Sequence, residues 1–306
     1  MRIAIIGRTE ILYDAAIFLR NSGHEITCIL TAKEAPEYAR SLNDFMALAN
    51  SWGIPFAAGS NIIEHADFLR DSNSEIAVSV NYTGIVPQSI IDLFPLGILN
   101  AHGGDLPRYR GNACQAWAIL NGEDRIGCCI HKMIGGQLDN GDIILKEYLN
   151  IDQNTKITAI WDWLNETIPG LILKAIEKLS VAPHYILESQ SKNPEDILRC
   201  YPRRPEDGKI CWEQSAIAIL RLINASNKPY AGAFCDYEGE TMIVWDAEIV
   251  GDEEIFCAVP GQVIRIHRHS IDIACGRGKL RLNDVEIDGV TGAPARWIKS
   301  TRKRLN

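Results

Sequence analysis

Three side chains have the types that acyl transfer to an amine requires: Asn100, His102 and Asp139. Asn100 and His102 stand two apart in GILNAHG (97–103), an apolar run that reads as a strand. Their side chains therefore share one face. A His beside an amide donor can move a proton while the amide steadies a developing oxyanion. The competing reading is a structural His at a strand end near glycines. Asp139 lies with Asp142 in GGQLDNGDIIL (135–145). Asp-Asn-Gly is also ordinary turn chemistry, so a plain hairpin turn competes there. A carboxylate near a His favours the protonated ring and orients it. Spacing alone does not bring Asp139 to His102.

The elements around these residues alternate. RIAIIG (2–7) reads as a buried parallel strand, residues 9–23 as an amphipathic helix ending near Gly23, and EITCILT (25–31) as a second strand. Helix over 43–51, strand over 54–58, helix over 64–72, strand over 75–81 and a short helix over 87–94 continue the βαβ cadence. QAWAILNG (115–122) predicts a helix, 126–134 and 142–151 paired strands, and 158–179 a long closing helix. Residues 183–208 are rich in Pro, Asn, Asp and Lys, which marks a linker or surface loop. A helix over 215–225 and five closely spaced strand candidates follow, the cadence of a small barrel or sheet. The expected fold is α/β. A Rossmann-like, mostly parallel sheet occupies the catalytic domain, 1–200, and a smaller β-rich, OB-like domain occupies 201–306.

Composition narrows the function. The chain has 306 residues, enough for a core in each of two domains. A net charge of −8 gives no reason to expect a polyanion partner. The one basic cluster, Arg296, Lys299, Arg302, Lys303 and Arg304, reads as a solvated helix end. The nine cysteines are odd in number and contain no CxxC pair, which suggests a reducing, cytoplasmic setting rather than a disulfide framework. Neither a signal peptide nor a membrane span is expected. Gly7 precedes Arg8-Thr9 without a GxGxxG pattern, so NAD is not expected. No His set has metal spacing, and His267-x-His269 reads as a surface strand pair, so no metal is expected.

Taken together, Asn-x-His (100–102), Leu-Pro-x-Tyr-Arg-Gly (106–111) and Leu-Asp-x-Gly-Asp (138–142) resemble the signature of folate-dependent formyltransferases. The resemblance covers most of residues 1–180. It implies a catalytic domain that binds 10-formyltetrahydrofolate as co-substrate. It assigns Asn100 to the oxyanion, His102 to general base and acid work, and Asp139 to tuning His102 and an ordered water. It implies a pterin held by backbone groups of Gly84, Ile85 and Val86 and of Gly135, Gly136, Gln137 and Leu138. It also makes Leu106–Pro107 a candidate cis bond. Gly104-Asp105 departs from the Ser-Leu that many members carry there; Asp105 either contacts substrate or faces solvent.

The acceptor amine is read by elimination. Glycinamide ribonucleotide enzymes resemble only the first domain, and this chain runs about a hundred residues beyond 200. Methionyl-tRNA formyltransferases must hold a polyanion and carry a longer basic loop near 31–50. Here Lys33 and Arg40 are offset by Glu34, Glu37 and Asp44, and 205–306 has no basic surplus. Nucleotide-sugar N-formyltransferases are the closer resemblance, through RCYPRRPEDGKICW (199–212) and KPYAGAF (228–234). They act on dTDP-, UDP- or GDP-linked amino sugars for surface polysaccharide such as lipopolysaccharide. Tyr109 and Asn112 are then substrate-facing candidates, Asn112 where the arabinose-type enzyme has Arg. Arg203 and Arg204 are candidates for the diphosphate, against a mixed-charge surface loop. The expected partner is a nucleotide-linked amino sugar, with neither nucleic acid nor membrane. The C-terminal β region or the closing helix could form a homodimer face. Methionyl-tRNA formyltransferase is the alternative. An inactive, ligand-binding relative is a second, against which the intact Asn100, His102 and Asp139 set argues.

Overall fold

The computed structural model describes residues 1–251 and 256–306. These form two compact units, each assembled from three stretches of chain. One comprises Met1–Cys114, Ile126–Leu149 and Trp161–Cys200; the other comprises Gln115–Arg125, Asn150–Ile160 and Tyr201–Asn306.

The first half of the chain runs β1 (Arg2–Gly7), α1 (Glu10–Asn21), β2 (Glu25–Thr31), α2 (Leu42–Trp52), β3 (Phe56–Ala58), α3 (Ala66–Asp71), β4 (Ile76–Val80), α4 (Gln88–Ile91) and β5 (Ile98–His102). β6 (Arg110–Gly111), α5 (Cys114–Asn121), β7 (Arg125–Lys132), β8 (Ile143–Asn150), α6 (Ile157–Val181) and β9 (Arg199–Cys200) follow. Seven strands make one sheet in the order β3-β2-β1-β4-β5-β7-β8. β1, β2, β3, β4 and β5 pair in parallel, and β7 runs antiparallel to β5. The strand order reverses between β1 and β4, the mark of a doubly wound sheet.

Side-chain alternation explains how both faces are covered. Ala4 and Ile6 of β1 pack with Cys28, Leu30, Leu69, Ile90 and Phe94, while Ile3 and Ile5, also fully buried, take the other face. α2 begins at a capping box, in which Ser41 and Asp44 exchange hydrogen bonds, and stops at Gly53 in the left-handed region.

The second unit builds on α7 (Ala216–Ala225) and an antiparallel sheet of β10 (Ala233–Tyr237), β11 (Glu240–Ile249), β12 (Val263–Ile266), β13 (Ile271–Ala274), β14 (Lys279–Ile287) and β15 (Val290–Gly292). The path is β10-β11-β14-β13-β12, with β15 on β14. Ile219, Leu220 and Ile223 of α7 pack on Ala233, Met242, Val244, Leu280 and Val285.

The basic tail departs from its expected helix. Pro294–Arg296 is a single 3-10 turn, and the chain end then bonds along the sheet. Val263 N–H donates to Lys303 O, Leu305 N–H to Gly261 O, and Asp236 N–H to Asn306 O. Those backbone partners satisfy the chain end without a helix. Among the described residues, no helix is long and apolar enough to cross a membrane.

Candidate active site

Asn100 and His102 occupy the last turns of the β5 pleat, and both are buried. The antiparallel register sets His131 of β7 opposite Asn100 and Cys129 opposite His102. The loop between β7 and β8 then returns Asp139 to the same place. Its Oδ2 lies 3.5 Å from His102 Nδ1 and accepts the Gly111 N–H at 2.9 Å. Its Oδ1 lies 3.4 Å from Asn100 Nδ2 and 3.5 Å from His131 Nε2. The three residues read as chemical candidates therefore converge, and the hairpin-turn reading of Asp139 gives way to a carboxylate turned inward.

Hydrogen-bond chemistry fixes the histidines. His102 Nε2 is 2.7 Å from the Tyr109 carbonyl, which can only accept, so Nε2 carries a proton and donates it. Nδ1 is left facing Asp139. His131 Nδ1 likewise donates to Lys132 O at 2.9 Å. Its Nε2, 3.2 Å from Asn100 Nδ2, accepts from the amide when the ring is neutral and donates towards Asp139 when it is protonated. Burial alone would raise the Asp139 carboxyl. His102 and His131 beside it and the Gly111 N–H outweigh that, holding it well below the usual carboxylate range.

The motif between β5 and β6 wraps this centre. Gly104 passes so close to the imidazole that a Cβ there would sit 2.6 Å from His102 Nε2. Leu106–Pro107 is a cis peptide bond. Tyr109 is buried and serves His102 through its carbonyl. Asn112 is exposed, its N–H held by Cys200 O at 3.2 Å. Asp105 accepts from Tyr148 Oη at 3.1 Å, so the departure at this position is a side-chain contact within the same unit rather than a bare solvated charge.

Beside Asp139 lies a small cleft lined by Gly84, Ile85, Val86, His131, Met133, Ile134, Gln137, Leu138 and Asp139. Gly136 N–H donates to Val86 O at 3.2 Å, which ties the two expected cofactor segments together. Gly84 and Gly136 both have φ in the left-handed region, where an L side chain would be strained. Gly135 instead packs against Gln88, which accepts its N–H at 2.9 Å.

Arg203 and Arg204 lie in the second unit. Arg203 donates to Asp207 O at 2.9 Å and Ser226 Oγ at 3.3 Å, and Arg204 is exposed. His131, Arg110 and Gln190 escaped the sequence reading. His131 could have been found from cross-strand pairing once β5 and β7 were placed side by side. Gln190 sits in the stretch read as a linker and gave no signal. Among the described residues, no group of three or more His, Cys, Asp or Glu side chains could hold a metal ion.

A strand-end amide and an imidazole gathered on one carboxylate, which itself borders a cleft, have the groups that acyl transfer calls for, and they stand on a doubly wound sheet. Residues 1–176 match the family profile described as formyl transferase, and residues 203–302 match the formyl transferase C-terminal domain. A methionyl-tRNA formyltransferase of Solibacter usitatus is 30% identical over 300 residues, spanning 96% of this chain and 94% of the relative. The N-formyltransferase of Helicobacter canadensis, solved with folinic acid and dTDP-3-aminofucose, superposes with TM-score 0.68 at 16% identity, covering 92% of this chain and 98% of that one. HypX of Aquifex aeolicus, solved with tetrahydrofolic acid, superposes with TM-score 0.65 at 17% identity, covering 98% of this chain and 47% of that one. The chain belongs to the formyl transferase family and is an enzyme of formyl-group transfer.

Proposed function

We propose that this enzyme moves a formyl group from 10-formyltetrahydrofolate to the amine of a nucleotide-linked amino sugar, with Asn100, His102 and Asp139 as its catalytic residues. The observation that carries the reaction is the convergence of those three side chains on one another, with Asp139 bordering a cleft lined by Gly84, Ile85, Val86, Gln137 and Leu138. The co-substrate supplies an activated formyl carbon. Backbone groups along 84–86 and 135–138 are suited to hold a flat heterocycle, because the left-handed glycines leave the main chain uncovered. Asn100 Nδ2–H donates to the oxyanion as the amine adds. His102 Nδ1 takes the amine proton, with Nε2 anchored on Tyr109 O, and returns it to the departing folate nitrogen. Asp139 faces the imidazolium while it exists. All nine cysteines are free thiols, which fits a reducing cytoplasmic setting.

The sugar acceptor is supported by charge. Residues 205–306 carry no excess of Lys and Arg, whereas grip on tRNA phosphates draws on basic side chains. Tyr109 and Asn112 are the proposed substrate contacts, and a product for surface polysaccharide such as lipopolysaccharide fits this acceptor. Methionyl-tRNA is the second reading, favoured by the name and full-length similarity of the Solibacter usitatus relative. A thermal-shift screen with tetrahydrofolate present separates them. Stabilisation by dTDP- or UDP-linked amino sugars is expected; stabilisation by charged initiator tRNA alone would replace the sugar with tRNA.

A further inference from the structure

Gln190 lies in a polar stretch that reads as a surface linker, yet it is buried. Its amide uses all of its hydrogen-bonding positions. Nε2 donates to Asp139 O at 2.9 Å and to Gly141 O at 2.7 Å. Oε1 accepts from Arg110 Nε at 3.2 Å and from Arg110 Nη2 at 2.7 Å. Arg110 is buried too, and the parallel pairing of β6 with β9 ties its backbone to the same returning segment.

Asp139 needs such a partner. Its φ of 47° is in the left-handed region, which an Asp adopts at a cost. Its carboxylate meets Gly111 N–H, one residue from Arg110. The carbonyl of Asp139 and the residue that flanks its carboxylate partner are thus joined through one side chain.

We propose that Gln190 is a positioning residue for formyl transfer: locked by Arg110, its amide clamps the Asp139–Gly141 backbone and keeps the Asp139 carboxylate on His102 and Gly111. This rests on the assignment of Asp139 given above. Displacing a catalytic group by about 1 Å can cost about 100-fold, so loss of the clamp should appear in turnover.

The test uses the full chain and rates per folded molecule, with folding followed by circular dichroism. Gln190→Ala is expected to lower kcat about 10- to 100-fold while KM for the formyl donor stays within about threefold. Gln190→Glu keeps the volume and the acceptor for Arg110 but loses both donors; it should show the same loss, and it carries the test where the alanine variant does not fold. In an Asp139→Asn background, Gln190→Ala should cost less than about threefold more, because residues acting through one group are not additive. A lowered melting temperature with unchanged kcat per folded molecule would overturn the proposal, as would losses that simply multiply. Collapse of Asp139→Asn beside an active Gln190→Ala sinks the clamp alone. Near-full transfer by Asp139→Asn sinks the assignment and the clamp with it.

Discussion

Two aspartates with largely covered side chains, one in each unit, sit beside histidines and differ in what else they touch. Asp272 of β13 is 1% exposed and accepts from Arg281 Nε at 2.8 Å and His267 Nε2 at 2.9 Å. Asp139 faces His102, His131, Asn100 and a backbone N–H, and it borders a cleft. A permanently charged guanidinium neutralises Asp272, and the group becomes part of the sheet. Among the described residues, the groups within bonding range of the Asp139 carboxylate are titratable or neutral, with the Arg110 guanidinium acting at longer range, so its charge is available when a neighbouring ring gains a proton. Burial pushes both carboxyls up, and their partners more than reverse it, leaving both below the usual range. Depression of a carboxyl therefore does not by itself mark a catalytic group; the kind of partner does.

That contrast breaks most visibly at the imidazole. His102→Ala should lower kcat about 100- to 10,000-fold with the fold retained, measured as formyl transfer and circular dichroism. Loss of the oxyanion donor in Asn100→Ala should cost about 100- to 1,000-fold in kcat. Asp272→Ala should do the reverse. Arg281 and His267 lose their shared acceptor, although Arg281 keeps Glu248, so the variant should be destabilised by about 1–3 kcal/mol in chemical denaturation, while kcat per folded molecule stays within about twofold. Equal effects of the Asn100 and Asp272 variants on turnover would erase the distinction.

The smallest expected effect is on acid stability. A carboxyl depressed in the folded state contributes stability above its unfolded pKa of about 3.9, and that contribution is lost as pH falls through the depressed folded value. Asp139→Asn and Asp272→Asn should each flatten the fall in stability below about pH 4 by on the order of 1 kcal/mol, read from denaturant midpoints across pH.

Much of the fold was legible because apolar runs and helical spacing dominate the first unit. β1, β2, β4 and β5 are Ile-, Ala- and Val-rich strands buried along nearly their whole length. β6 and β9, two residues each, were not, since no periodicity exists at that length. The basic tail misled because its cations suggest a helix end while its backbone partners lie far away on β10 and β12. Within the site, Asn100 and His102 were joined by strand alternation, and the family resemblance was needed to join Asp139 to them. Gln190 and His131 depend on chain returns that local pattern does not encode.

The most direct measurement is single-turnover transfer of isotopically labelled formyl from 10-formyltetrahydrofolate to a nucleotide-linked amino sugar, comparing the unaltered enzyme with Asp139→Asn. Transfer of label to the sugar nitrogen, slowed at least about 100-fold by the substitution while the protein stays folded, is the result expected. Transfer at the same rate by both proteins would contradict a site centred on Asp139.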